Sequence, residues 1–368
     1  MDIIYLDNSA TTKAHPDVIN EMRDIMENNY GNPSSLHSMG VNAERAVEKA
    51  RVCVATPLKA TPDEIYFTSG GTEGNNLALI GSYSAMRVKG GIITTKAEHK
   101  SVLEALKNFN NISYIDIDGK GAIDLESLKK QITDDTSLVS ISHVNNETGA
   151  IAPIDKIGAI IKNKNPKCLF HVDAVQSYCK IDFPKAAADL ITVSGHKIHG
   201  PKGIGALYIK KGVRITPLLY GGGQERGLRS GTENTAAIAG FGVAASLKFD
   251  LEYIQKLNSA LRRKLQNVVI NSIDGSPYIL NISAPGIRSE ILLHALAQRG
   301  VMVSSGSACS VNRPEPSHVL TAMGLPRELI DSSVRISISI ANTVAEVSAA
   351  ADIINETILL LKSQLRRY

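Results

Sequence analysis

An α/β fold built on a mostly parallel sheet is what this sequence predicts, and three observations lead there. Short apolar runs rich in β-branched residues alternate with helical patterns of roughly ten residues or more, the signature of βαβ units. The length of 368 residues suits one large α/β domain plus a smaller one. Two of the runs, Leu169 to Val172 and Leu190 to Val193, end in polar residues, at the carboxyl ends of strands where open α/β sheets bind ligands.

In chain order, Tyr5 to Thr12 is a short extended segment ending in small and hydroxyl residues. Pro16 opens a helix that runs to about Asn28. Gly31 to Ser35 is a loop by composition, Ser38 to Ala55 is helical, and Glu64 to Thr68 alternates as a strand. Ser69 to Asn76 then leads into an apolar helix from Leu77 to Met86. Gly91 to Thr95 is a strand whose exit, Ala97 to Ser101, opens another helix. Strands over Ser113 to Ile117 and Ser137 to His143 flank a helix over Leu125 to Gln131, and Gly203 to Ile209 is a further strand. One long helical pattern runs from Asn234 toward Asn267 and connects the large domain to the small one. Tyr278 to Ser283 is a strand, Ser289 to Arg299 a helix, and Ser333 to Ser339 alternates as a strand with Arg335 on its polar side. The expected division is 14–250 for the large domain, with 1–13 and 251–368 forming the small one.

Composition excludes several classes. A net charge of +4, from 40 basic and 36 acidic residues, is too small and dispersed to argue for nucleic acid or an anionic membrane. The start lacks a basic segment followed by a long apolar stretch, and no run of about 18 apolar residues occurs, so the expected location is cytoplasmic. Cys53, Cys168, Cys179 and Cys309 form no C-x-x-C pair and no disulfide framework. Cys309 differs from the others because it lies in a small, polar segment, where a thiol is accessible.

The chemistry centres on Ser194-Gly195-His196-Lys197, after one strand, and on Asp173 and Gln176, after another. A lysine amine in a partly desolvated pocket can condense with an aldehyde. A carboxylate set against it suits pyridoxal phosphate, whose ring nitrogen must stay protonated. His196 and His199 could instead be metal ligands, but no carboxylate or cysteine lies close in sequence to complete a site. Gly71 and Thr72, at a helix start after a strand, could hold a phosphate on free N–H groups, or Thr72 could simply cap the helix. His99 could stack on a planar cofactor and shuttle protons, or be structural. Asn146 could donate to a ligand or make a turn. The G-x-x-G-x-G spacing at Gly200, Gly203 and Gly205 precedes a strand, which excludes a dinucleotide fingerprint.

The stretches SGHKIHGPKGIG, HVDAVQ and SGSAC together resemble the cysteine desulfurases, pyridoxal-phosphate enzymes of the class V aminotransferase group, and the likeness runs from Tyr5 to about Arg335. It implies a fold-type I transferase, with helices on both faces of the central sheet and a smaller α+β domain. It further implies conversion of L-cysteine to L-alanine, with sulfur moved onto Cys309 as a persulfide. In that frame Lys197 carries the aldehyde and moves protons, Asp173 keeps the ring nitrogen protonated, and His99 stacks. Gly71, Thr72, Ser194 and His196 join the cofactor site, and Asn146 and Gln176 face its phenolate oxygen. Thr232, in the glycine-rich stretch Gly221 to Asn234, reaches a partner's phosphate in a homodimer. Arg335, with Asn146, binds the substrate carboxylate. Sulfur-acceptor proteins such as an iron–sulfur scaffold are the implied partners. An aminotransferase or selenocysteine lyase on the same scaffold, and a catalytically silent scaffold for acceptor proteins, are the alternatives. One departure stands out: after Arg335 the family continues with a Gly-Arg-Phe-Thr-like sequence, whereas here Ser339-Ile340-Ala341-Asn342-Thr343 follows.

Overall fold

The structure, a computed structural model, describes residues 3–184, 188–305 and 316–365. Its strands in chain order are β1 (Ile4–Tyr5), β2 (Ile65–Thr68), β3 (Gly91–Thr95), β4 (Ile112–Ile115), β5 (Thr136–Ser142), β6 (Leu169–Asp173), β7 (Leu190–Ser194), β8 (Gly205–Ile209), β9 (Val269–Ile270), β10 (Ile279–Ser283), β11 (Val301–Met302) and β12 (Ser333–Ser337). Seven form the central sheet in the order β2-β8-β7-β6-β5-β3-β4. Every pairing there is parallel except those of β8, which runs against both β7 and β2.

Side-chain alternation explains why both faces are covered. Ile191, Val193, Ala206 and Tyr208 join the core under the helices Pro16–Asn28, Ser38–Ala55 and Thr235–Ala245, together with Val18, Val47 and Phe241. Their strand neighbours Leu190 and Leu207 point the other way, onto Leu77 and Ala78, and Ile92 and Leu138 meet Leu79, Val102 and Leu106. β7 and β8 are buried at every position, as strands sandwiched between helical layers must be. Because β2 and β7 both run against β8, β2, β3, β5, β6 and β7 all exit on one edge, and the chain after each exit carries candidate chemistry.

A second core gathers Leu6, Leu257, Leu280, Ile282, Val334, Ile336 and Ile354. It lies among the antiparallel sheet β12-β10-β9, the parallel pair β1-β11 and the helices Leu251–Lys264, Ser289–Gln298 and Val344–Leu365.

One expectation is corrected. The long helix expected from Asn234 is two helices, Thr235–Ala245 and Leu251–Lys264. Asp250 ends the intervening segment by accepting the Tyr253 N–H at 3.0 Å, an N-cap that starts the second helix afresh. The first helix is apolar all round and buried in the larger core, whereas the second buries one stripe in the smaller. Arg335 shares the polar face of β12 with Ser333 and Ser337, and that face is buried, being covered by the N-terminal segment. Ser337 O accepts from Asn8 N and Asn8 Nδ2, and Ser337 Oγ accepts from Ser9 N at 2.8 Å. The unusual connection after β12 has its own local logic. Asn342 Oδ1 accepts the Ser339 N–H at 2.9 Å and Asn342 Nδ2 donates to Tyr5 O at 3.1 Å, while Glu346 caps Thr343 at the start of the last helix.

Candidate active site

At the exit of β7 the chain makes a 3₁₀ turn, Gly195–Lys197, that carries Lys197 to the sheet edge. The half-buried Lys197 donates from Nζ to Ser9 O at 2.6 Å and Ala10 O at 2.7 Å. Thr12 secures the same segment, its N–H and Oγ1 both donating to His196 O at 2.9 Å. His196 Nδ1 meets Thr11 Oγ1 at 3.2 Å. Burial, with the charges of Lys197, Lys180 and Lys202, lowers the His196 pKa to about 4, so its ring is neutral near pH 7.

One strand over, Asp173 is 6% exposed. Its Oδ1 accepts the Val175 N–H at 3.0 Å and its Oδ2 accepts Asn75 Nδ2 at 2.7 Å. Beneath it His171 bridges Ser140 Oγ at 2.9 Å and Thr192 Oγ1 at 3.0 Å, and burial lowers its pKa to about 4.

The β3 exit supplies His99, which is exposed at the residue level but has its Nδ1 edge tied to Ser101 N at 3.1 Å and Ser101 Oγ at 2.8 Å. Burial of that edge lowers its pKa, against the pull of Asp173 and helped by Lys197, His318 and Lys100. Glu98 beside it is 2% exposed, accepts from Thr95 Oγ1 at 2.9 Å and also from Ser142 Oγ.

The β2 exit turns at Gly70 (φ 153) into a helical run, Gly71–Asn76 followed by a π turn, Leu77–Gly81, and Ser82–Ala85. The first N–H groups of that run lack intrahelical acceptors, as at any helix start. Gly71 lies so close to the β6 exit that an added Cβ would stand 2.8 Å from Val175 Cγ2. Thr72 is exposed. Ser194, 1% exposed, has a buried hydroxyl with no hydrogen-bond partner, and Gln176 Oε1 and Asn75 Oδ1 share that condition. Buried polar atoms without partners are rare. Here they gather beside a glycine cradle, an amine and a carboxylate, and that set of donors and acceptors fits a phosphorylated planar aldehyde. Gln176 Nε2 is already committed to Ser9 O at 3.0 Å.

Arg335 is 6% exposed and donates to Asn146 O at 2.9 Å, Asp7 Oδ1 at 2.9 Å and Ser304 Oγ at 2.7 Å, while its buried Nε has no partner. Asn146 is half-buried. Glu147, next to it, accepts Ser317 Oγ at 2.5 Å, so burial, which raises its pKa, outweighs that bond and the charges of His318 and Arg335. Thr232 is exposed in the glycine-rich stretch. That stretch is held to the helices Ser38–Ala55 and Gly71–Asn76 by Glu225, whose carboxylate takes both Arg51 Nη atoms at 2.9 Å, and by Arg229, 3.0 Å from Glu73. Cys309 lies outside the described residues. The described residues nearest it are Ser305, one residue after the Ser304 that touches Arg335, and Pro316, one before the Ser317 that touches Glu147.

Lys197, Asp173, Gln176, Ser194, His196, Gly71 and His99 therefore converge on one sheet edge. Asn75, Ser101, Glu98, Glu147 and Asp7 were not singled out from sequence. Asn75 carried the only available signal, a polar residue four positions after Gly71 at the head of an apolar helix. Among the described residues no group of three or more His, Cys, Asp and Glu could hold a metal ion, and no helix is long and apolar enough to cross a membrane.

The family described as aminotransferase class-V matches residues 4–350. A cysteine desulfurase of Trichormus azollae is 41% identical over 99% of this chain and 94% of its own length. A solved NifS-like protein superposes with a TM-score of 0.91 at 40% identity, covering 97% of this chain and 100% of that one. A structure of SspA in complex with cysteine does so with a TM-score of 0.82 at 34% identity, over 92% of this chain and 99% of that one. The chain belongs to the class V aminotransferase family and, within it, to the cysteine desulfurases.

Proposed function

We propose that this chain is a pyridoxal-phosphate-dependent cysteine desulfurase, converting L-cysteine to L-alanine with transfer of the sulfur to Cys309. The observation that carries the reading is the placement of Lys197 and Asp173 on adjacent strand exits, facing a helix start and the unpartnered hydroxyl of Ser194. When bound, the cofactor supplies an aldehyde that condenses with amines and a cationic ring that draws electron density from the substrate α-carbon.

The chain's own groups do the rest. Lys197 would hold the aldehyde carbon and, once released, take the proton from the cysteine α-carbon; the Ser9 and Ala10 carbonyls fix where its amine rests. Asp173, held in place by hydrogen bonds from Asn75 and the Val175 N–H, would accept the ring N–H. His99 would cover the ring. Gly71, Thr72, Ser194 and His196 would bind the phosphate, joined by Thr232 from a second copy of the chain. Exposed Leu219 and Tyr220, 45% and 79%, flank that stretch and support a homodimer. Asn146 and Gln176 would face the phenolate oxygen. Arg335 would meet the substrate carboxylate through the Nε that lacks a partner, with Asn146 beside it. Residues 14–250 would form the cofactor domain, with 1–13 and 251–368 the smaller domain that carries Cys309.

A cysteine thiolate at 309 would attack the substrate sulfur, forming the persulfide as the carbon–sulfur bond breaks. Sulfur-acceptor proteins such as an iron–sulfur scaffold would then take it, in the cytoplasm, with no nucleic acid or membrane as direct partner. The test is mass spectrometry after incubation with cysteine, alongside an alanine assay. One added sulfur on Cys309 is expected, with alanine production lost in both Lys197→Ala and Cys309→Ala; alanine formed at the wild-type rate by Cys309→Ala overturns the reading.

A further inference from the structure

We propose that Asn75 and Ser101 are positioning residues that join Asp173 to His99 and lock the His99 ring as the neutral tautomer with its hydrogen on Nε2. The inference deepens the function proposed above and rests on its assignment of Asp173 and His99 to the cofactor site.

The direction of each hydrogen bond follows from what each atom can do. Asn75 is 1% exposed, and its Nδ2 donates one hydrogen to Asp173 Oδ2 at 2.7 Å and the other to Ser101 Oγ at 2.8 Å. Ser101, 8% exposed, thus accepts at its oxygen and has one hydroxyl hydrogen left to give. The atom in reach is His99 Nδ1 at 2.8 Å. The same Nδ1 accepts the Ser101 backbone N–H at 3.1 Å, a contact that also caps the helix Lys100–Leu106. An Nδ1 that accepts two N–H or O–H hydrogens carries none of its own. The ring proton is therefore on Nε2, and protonating Nδ1 would cost both bonds.

Reversing the Asn75 amide is excluded by its surroundings. It would set Oδ1 against the Asp173 carboxylate, where two acceptors repel. The relay thus has one polarity: amide to carboxylate on one side, amide to hydroxyl to imidazole on the other. It joins the exits of β2, β3 and β6 and leaves His99 able to donate from Nε2 but unable to take a proton there. Proton movement at the substrate falls to Lys197. The charged and titratable groups acting on His99 are Asp173, Lys197, His318 and Lys100.

The test reads the ring itself, by ¹⁵N resonances of His99 in labelled protein with and without cofactor, assigned by their loss in His99→Gln. In the wild type Nδ1 should resonate as an unprotonated acceptor and Nε2 as N–H from pH 6 to 9. Ser101→Ala should mix the tautomers and raise the His99 titration midpoint by about one pH unit, Ser101→Thr should restore the wild-type pattern, and Asn75→Ala should move the midpoint in the same direction as Ser101→Ala. For alanine formation, kcat should fall about tenfold in Asn75→Ala with KM for cysteine nearly unchanged, the pattern of a group felt in the transition state. A wild-type Nδ1–H overturns the proposal without any variant. So does a folded Ser101→Ala or Asn75→Ala whose His99 midpoint and tautomer match the wild type; either variant suffices if the other does not fold. Should the protein release no alanine at all, the function proposed above fails while the ring resonances still decide this relay.

Discussion

Replacing Glu98 by glutamine should stabilise the protein above neutral pH and not below pH 4.5. Glu98 is 2% exposed. Burial pushes its carboxyl from the ordinary 4.5 up to about 7, against hydrogen bonds from Ser142 and Thr95 and with a further push from Asp173. Across that interval the folded chain keeps a proton that the unfolded chain has released, so stability is fully present below 4.5 and declines as pH rises to about 7. The rise corresponds to a loss of about 3 kcal/mol by pH 8. Glutamine has the same shape. Its oxygen can still accept from Thr95 and its amide can donate to Ser142, so the variant removes the titration while keeping the contacts. Urea unfolding of both proteins, stripped of cofactor, at a series of pH values between 4 and 8 measures the difference. Its growth by about 3 kcal/mol toward pH 8 is expected; a difference that stays level across the series would refute the claim that this carboxyl is buried and protonated.

Three further outcomes follow from the same structure. His143 and His171, each lowered by burial to about 4, stay neutral in the folded chain while the unfolded chain takes up protons below 6.5. Between these values these two residues should lower stability by about 2.7 kcal/mol per pH unit of acidification, so unfolding near pH 5, followed by potentiometry, should take up about two fewer protons in the His143→Gln, His171→Gln double variant than in the wild type. Glu225→Ala strands the Arg51 guanidinium, itself 6% exposed, without its buried anion, at a cost of about 3–5 kcal/mol. The urea midpoint should fall accordingly and recover in the Arg51→Met, Glu225→Met double variant; no recovery means the pair is not the cause. Gly71→Ala sets a methyl 2.8 Å from Val175 Cγ2 and should weaken cofactor binding at least about tenfold, with Val175→Ala restoring part of it. Cofactor titration followed by absorbance checks this, and unchanged affinity rules out the cradle.

Much of the fold was legible because local chemistry and tertiary need agree. Pro16 opens the helix Pro16–Asn28, β-branched residues make β3, and the helix Leu125–Gln131 has Asp124 as a cap accepting from Glu126 and Ser127. The break between Ala245 and Leu251 was not legible, since no glycine or proline interrupts the pattern and only Asp250 marks a new start. For Arg335 the alternation of β12 was readable, but what covers its polar face was not: the covering segment is 328 positions away in the chain at Asp7. Lys197 and Asp173 could be found because each follows an apolar strand. The Asn75–Ser101–His99 relay could not, because Asn75 follows β2 while Ser101 and His99 follow β3, and the two exits meet only once the sheet has formed.

The seat of Lys197 on the carbonyls of Ser9 and Ala10 has a consequence for the order of assembly. That stretch is stitched in turn to Ser337 and Asn342, residues made long after it, 329 positions further along the chain in the case of Asn8 and Ser337. A nascent chain can collapse its large core while the reactive amine still lacks its rest, since closing such distant contacts is the slow, entropically costly part of folding. Refolding protein should accordingly regain tyrosine burial before it regains the capacity to take up cofactor, and competence for chemistry arrives last.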